Sequence, residues 1–315
     1  MNFEQRIALT GATGFLGSHV AKVLMAKGFT LNALVRNPKR AEHLQVRGIK
    51  LVAGDLSDAK SLQELVSNCS CVVHIAGAIK AKSSKQLFQI NGGGTANLVK
   101  ACAVNNPQIR FVHISSVAAR EPQLSDYANS KFASETEAKK HNGAVAIVRP
   151  NAVYGPNDRE TLQIFQVASG LFHPVLVGKE SRIAMIHVAD AAKAITALCS
   201  VDAPTGLFEI SDARADGYSW REISQTAVSS VGGKYRPIKI PKWLFHTCGF
   251  VSENIGKLRD QPTILNSGKV REILHGDWSV QDDLQIPAEI WKAKIDLESG
   301  FRDTVQWYRQ QGWLK

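Results

Sequence analysis

The chain has 315 residues, enough for one large α/β domain and a smaller lobe, and its 44% hydrophobic and 21% charged residues are ordinary for a soluble globular protein. Its net charge of +10 favours anionic partners, but the basic residues are scattered, and no Arg/Lys block with interleaved aromatics speaks for nucleic acid. Five cysteines without metal-ligand spacing argue against a metal site or a disulfide framework, and no apolar run approaches the roughly 20 residues of a membrane span.

Met1-Asn2-Phe3-Glu4-Gln5-Arg6 is expected not to be a secretory leader, because a short strand follows it directly. Together with reduced thiols, this points to a cytoplasmic protein. Ile7-Ala8-Leu9 reads as a buried strand, and Val20, Val23 and Leu24 recur at helical spacing. Between them lies Thr10-Gly11-Ala12-Thr13-Gly14-Phe15-Leu16-Gly17, with glycines where a strand becomes a helix. Gly11 permits the tight turn, Gly14 a close backbone approach, and Gly17 helix-to-strand packing. The helix N-terminus offers N–H groups and a positive dipole end to a pyrophosphate. Gly11, Thr13, Gly14, Phe15, Leu16 and Gly17 are therefore candidate contacts of a dinucleotide.

Leu31–Val35 reads as a second strand, ending at Arg36. A cofactor with a free ribose 2′-hydroxyl usually meets an Asp or Glu at this position. Arg36, followed by Lys39 and Arg40, suits a 2′-phosphate instead, so NADP is expected over NAD. The bland alternative is a solvated basic loop. Ile49–Ala53 is a third strand, closed by Gly54-Asp55-Leu56. Asp55 can accept a hydrogen bond from an adenine amino group, and Leu56 joins it as a candidate contact. Cys71–Ile75 is a fourth strand, ending in Ala76-Gly77-Ala78, whose small side chains leave room for a cofactor crossing the sheet. His74 alternates with core positions and reads as packed rather than catalytic. Lys80, Lys82 and Lys85 form a solvated face or an anion contact. Asn91-Gly92-Gly93-Gly94-Thr95 interrupts a helical stretch from Lys85 to Asn105, so a bend or a close backbone approach is expected there.

Arg110–Ile114 is a fifth strand, ending in Ser115-Ser116. Tyr127 and Lys131 then fall one helical turn apart on one face. The ammonium favours phenolate, and a serine at the neighbouring strand end can hold a substrate oxygen. This is an acid–base unit for moving a proton on a carbinol oxygen while hydride moves on its carbon. Val145–Val148 is a sixth strand, followed by Arg149-Pro150-Asn151-Ala152-Val153-Tyr154-Gly155-Pro156. Beyond it, Ile183–Val188 and a helix over 190–199 are expected to return to the main domain. Leu207–Ile210, a helix over 220–231 and Tyr235–Ile240 suggest a small α/β lobe. Trp243-Leu244-Phe245 with Phe250-Val251 reads as a core helix or a pocket lining, with a membrane-surface helix as a third reading. Phe301–Trp313 is a closing amphipathic helix.

The glycine turn, Gly54-Asp55-Leu56, the serine pair, Tyr127-x-x-x-Lys131 and Arg149-Pro150-x-x-Val153-Tyr154-Gly155-Pro156 occur in that order. The chain thereby resembles the extended short-chain dehydrogenase/reductase superfamily of the epimerase/dehydratase type. The resemblance implies a doubly wound parallel sheet (Rossmann) over 1–156, with 181–202 returning to it. It implies a smaller C-terminal α/β substrate lobe from 157–180 and 203–315. It also implies a catalytic set of Ser116, Tyr127 and Lys131, with Ser116 chosen because the family places the catalytic hydroxyl last in the serine run. Tyr127, Lys131, Pro150 and Val153 join the cofactor contacts, and homodimers are common. Sugar-nucleotide members often carry an Asn where this chain has Ala152. This, with a segment between Ser116 and Tyr127 shorter than in many sugar-nucleotide members, tilts the resemblance toward hydroxysteroid dehydrogenases and dihydroflavonol reductases, where residues like Arg36 also suit NADP. The expected function is an NADP-preferring oxidoreductase interconverting a carbonyl and a secondary alcohol on a small-molecule substrate. The alternatives are a nucleotide-sugar epimerase or dehydratase with recycled NAD(P), and a non-catalytic cofactor-binding subunit or sensor.

Overall fold

The computed structural model describes residues 5–45, 49–176, 181–241 and 266–315, with the isolated positions 243 and 247. In chain order the first elements are β1 (Arg6–Thr10), α1 (Phe15–Ala26), β2 (Thr30–Val35), α2 (Glu42–Gln45), β3 (Lys50–Ala53), α3 (Ala59–Val66), β4 (Cys71–His74), α4 (Ser84–Phe88), α5 (Gly94–Asn105), β5 (Arg110–Ile114), α6 (Asp126–Ala138) and β6 (Val145–Pro150). Then come β7 (Ala152–Tyr154), α7 (Leu162–Ala168), β8 (His173–Leu176), β9 (Arg182–Ile183), β10 (Met185–His187), α8 (Val188–Ala197), β11 (Gly206–Ile210), α9 (Trp220–Ser230), β12 (Pro237–Ile240), α10 (Ser267–Leu274), β13 (Asp277–Trp278) and α11 (Leu297–Gln310).

These elements divide into two compact units. The first comprises Met1–Arg149, Ala192–Phe208 and Ile286–Trp291; the second comprises Pro150–Ala191, Glu209–Gln285 and Lys292–Lys315. The seven-stranded sheet has the order β11-β6-β5-β4-β1-β2-β3. Pairing from β3 across to β6 is parallel throughout. Its strands are short apolar runs, as sheets covered on both faces require. The core gathers Val52, Leu62, Leu65, Val72, Leu98 and Phe111 from strands and helices alike. Between β1 and β4 the strand order reverses, and the carboxyl ends of strands at such a point form a ligand crevice.

Two expectations are corrected. Leu207–Ile210, assigned from sequence to the smaller lobe, falls in β11, the edge strand of the seven-stranded sheet, with Leu207 and Phe208 in the first unit and Glu209 and Ile210 in the second. Ile183–Val188, expected to return to the main domain, lies in the second unit, where β9 pairs with β13 and β10 with β7. Both segments are short runs whose burial is readable but whose pairing partner is not, because nothing local encodes it.

The glycine run after Asn91 bends nothing sharply: α4 and α5 are joined by a π-helical turn over Gln89–Gly93. A Cβ on Gly94 would come within 2.6 Å of the Leu56 side chain, so close approach explains that glycine. In the second unit, Tyr154, Phe165 and Phe301 pack edge to face with centroids 4.9 Å apart at each contact. Gly300 exists for the same cluster, since a Cβ there would collide with the Tyr154 ring. Asp190 at the start of α8 accepts from the Lys294 and Ile295 amides at 2.6 and 2.8 Å, tying the approach to α11 onto α8. Of Trp243, Leu244, Phe245, Phe250 and Val251, only Trp243 is among the described residues, and it is exposed; the rest of that reading lies outside them.

Candidate active site

The first unit places its chemistry at the carboxyl ends of β1, β4 and β5. Gly11 leaves β1 with φ +79°, a left-handed conformation that favours glycine, and a Cβ there would lie 2.8 Å from the Ala76 amide. A Cβ on Gly17 would run into the Gly11 carbonyl, so the α1 glycine is a packing requirement. Gly14 differs: it is exposed, and its added Cβ would meet only the Gly11 carbonyl, at 3.3 Å. No side chain caps α1 and its first turn carries no acid. Thr13 is exposed, and Phe15 and Leu16 are half-buried around this N-terminus. Beneath the turn, Thr10 Oγ1 accepts from the Ile75 and Ala76 amides at 3.1 Å each, setting the level of Ala76 and Gly77. His74 lies between Thr10 and Thr95 at 2.7 and 3.0 Å, fully buried, and desolvation pushes its pKa down to about 3. It is a neutral packed histidine, as its strand alternation implies.

On the sheet's other side of β1, Arg36 stands exposed just past β2, and Asp55 and half-buried Leu56 follow β3. Ser57 donates its amide and hydroxyl to Asp55 Oδ1 at 2.7 and 2.6 Å. These bonds, and then the Arg36 charge, hold the Asp55 carboxyl below the usual carboxylate range. Arg36 and Asp55 are thus neighbours at one strand edge.

Ser125 caps α6 by accepting from the Ala128 amide, which starts the helix carrying Tyr127 and Lys131. Tyr127 is half-buried. Lys131 is buried, and its Nζ donates to the Ile114 carbonyl at the end of β5 at 2.8 Å. A Cβ on Gly77 would be 3.9 Å from that Nζ, so the ammonium sits at the ends of both β4 and β5. Desolvation lowers the Lys131 pKa to about 8, opposed by the charge of Glu135 one turn on. The serine pair splits in role. Ser115 is buried and donates to Glu135 Oε1 at 2.6 Å, and Glu135 is held by Arg149 through two bonds of 2.8 Å. Ser116 is half-buried and caps the turn Val117–Arg120 through the Ala118 amide.

Sequence reasoning missed Asn91. From the π-helical turn its Nδ2 donates to Ser130 Oγ and to the Ala78 carbonyl, at 2.8 and 3.0 Å, and its Oδ1 accepts from the Ala78 amide at 2.8 Å. It therefore ties the loop after β4 to the residue before Lys131. The only sequence signal was its place at the head of three glycines. Pro150 ends β6 and is buried, and half-buried Val153 in β7 opposes Ile186 in β10; both belong to the second unit. Among the described residues no cluster of His, Cys, Asp and Glu could hold a metal ion, and no helix is long and apolar enough to cross a membrane.

Residues 7–210 match the NAD dependent epimerase/dehydratase family. The chain belongs to that family. Across 98% of its length it is 39% identical to a ceramide reductase of Caulobacter vibrioides, covering 96% of that protein. It is 26% identical to a putative dihydroflavonol 4-reductase of Synechocystis, covering 98% of this chain and 95% of the relative. The crystal structure of gox2253 superposes with TM-score 0.78 at 22% identity, covering 99% of this chain and all of that one. The Thermus thermophilus UDP-glucose 4-epimerase in complex with NAD superposes with TM-score 0.70 at 21% identity, covering 97% and 99%. These structures share the Rossmann fold. As a member of the epimerase/dehydratase family the chain is an NAD(P)-dependent enzyme, and its residues fit the cofactor. The uncapped, acid-free N-terminus of α1 faced by Gly14 suits a pyrophosphate, and the glycines at 11 and 17 make the turn that exposes it.

Proposed function

We propose that the chain is an NADP-preferring reductase that interconverts a ketone and a secondary alcohol. The observation that carries this reading is Lys131: a buried ammonium held at the ends of β4 and β5, one turn from Tyr127 on α6. Bound NADPH supplies the hydride. Tyr127 moves a proton at its phenol oxygen to or from the substrate oxygen, and the Lys131 cation one turn on stabilises the phenolate this leaves. Ser116 holds the same substrate oxygen; Ser115 is spent on Glu135. Gly11, Thr13, Gly14, Phe15, Leu16 and Gly17 would hold the pyrophosphate, and Lys131 with Tyr127 the nicotinamide ribose. Asp55, Leu56, Ala76 and Gly77 complete the cofactor contacts of the first unit. Arg36, with no acid in its place, supports the 2′-phosphate of NADP. The Caulobacter ceramide reductase, similar over nearly the whole chain, supports a lipid substrate of the ceramide type.

The test is NADPH consumption with a ceramide analogue whose secondary alcohol is replaced by a ketone, read beside simple ketones and nucleotide sugars. One NADPH consumed per ketone reduced is the expected result. Tyr127→Phe should cut turnover by about 10²–10⁴-fold and leave cofactor affinity nearly intact. Conversion of a nucleotide sugar with no net consumption of cofactor would overturn the proposal in favour of an epimerase or dehydratase.

A further inference from the structure

The second unit carries an exposed surface that the catalytic reading does not use. Where α7 runs into β8, Val167, Leu171 and Phe172 are 46%, 73% and 58% exposed, and Ile238 on β12 is 46% exposed. These positions lie side by side. β8 and β12 pair in parallel with Pro237 opposite His173 and Ile238 opposite Pro174. Arg236 bonds His173 twice: its carbonyl accepts from the His173 amide, and its amide donates to His173 Nδ1, both at 2.9 Å. Lys234, Arg236 and Lys239 are exposed on the same stretch. Segments 161–176 and 231–241 contain no Asp or Glu. Trp243, three residues past β12, is exposed as well.

We propose that this edge of the second unit is a docking surface for an anionic lipid bilayer. Clustered exposed apolar side chains mark interaction sites rather than ordinary surface. Here they are interleaved with cations and lack any acid, which is the charge complement of an anionic leaflet. Phe and Leu side chains enter the headgroup boundary while Lys and Arg stems reach back to phosphates. A second copy of the chain fits poorly. A symmetric contact would set Lys234, Arg236 and Lys239 against their own copies, and Pro237 and Pro241 blunt β12 as an edge for strand pairing.

The experiment is flotation of the full-length protein with vesicles containing phosphatidylglycerol and with vesicles of phosphatidylcholine alone. The wild type should bind the anionic vesicles, fail to bind the neutral ones, and release as salt is raised. Phe172→Ser and Lys239→Glu should each weaken binding by roughly tenfold, while their NADPH affinity and thermal unfolding stay those of the wild type. Binding is read without turnover, so the result stands apart from the proposed reaction. Failure of the wild type to float with anionic vesicles would overturn the proposal, as would undiminished binding by both variants. A wild-type dimer that Phe172→Ser converts to monomer, without vesicle binding, would assign the surface to self-association and overturn it equally.

Discussion

Replacing Glu135 with Gln tests the electrostatic base of the site. Glu135 is 1% exposed and its partner Arg149 7%. Its Oε1 accepts from Ser115 Oγ at 2.6 Å and Arg149 Nε at 2.8 Å, and its Oε2 from Arg149 Nη2 at 2.8 Å. Gln keeps the shape and one oxygen, but its amide nitrogen then faces the Nη2 donor. One charge-assisted bond is lost, and a buried guanidinium loses its counter-charge. Breaking a buried pair from one side costs about 3–5 kcal/mol. Glu135→Gln should lose at least ~3 kcal/mol in urea unfolding, followed by hydrogen exchange of the α6 and β6 amides. The double variant Glu135→Leu with Arg149→Met leaves no stranded charge and should be more stable than the single one. The substitution also removes the charge that props up Lys131, so the Lys131 pKa should fall below about 8 and the alkaline limb of the rate profile should move to lower pH. A loss under ~1 kcal/mol, or a double variant weaker than the single, would refute the account.

Gly14 and Gly17 of the turn should separate. Gly14→Val should fold normally and lose cofactor binding, whereas Gly17→Ala should lower the thermal midpoint because its Cβ meets the Gly11 carbonyl; circular dichroism and cofactor fluorescence distinguish them. Arg36→Asp should reverse a preference for NADPH over NADH in fluorescence titrations, and equal affinities in the wild type would sink the NADP assignment. Lys131→Met should abolish turnover yet stabilise the fold near neutral pH. Desolvation lowers the Lys131 pKa from 10.5 to about 8, which corresponds to ~3 kcal/mol of penalty for the buried charge. Between those values the unfolded chain holds the proton and the native one does not, so wild-type stability should rise with pH across that window. Thermal melts across it should show the variant's advantage shrinking, and a constant advantage would contradict the shift.

What the sequence determined by itself was everything with a local period or a local steric demand. Short apolar runs marked six strands from Ile7–Leu9 to Val145–Val148, and helical spacing marked the longer helices between them, though not α2. The glycine spacing placed the dinucleotide turn, and i, i+4 spacing set Tyr127 and Lys131 on one face. Arg36 stood where an acid would have spoken for NAD. The tertiary structure alone decided matters that hang on residues far apart in the chain. Ser115 and Ser116 are chemically identical neighbours, and that Ser115 bonds Glu135 while Ser116 caps the following turn is visible only once α6 lies against β5. Gly94 is required by Leu56, and Asn91 acts through Ser130, both from elements distant in sequence. Gly206–Ile210 joined the large sheet, and the exposed residues around Phe172 met Ile238 only when β8 paired with β12. Periodicity reports which face of an element is buried, but not which element covers it, because that choice is made by packing over the whole chain.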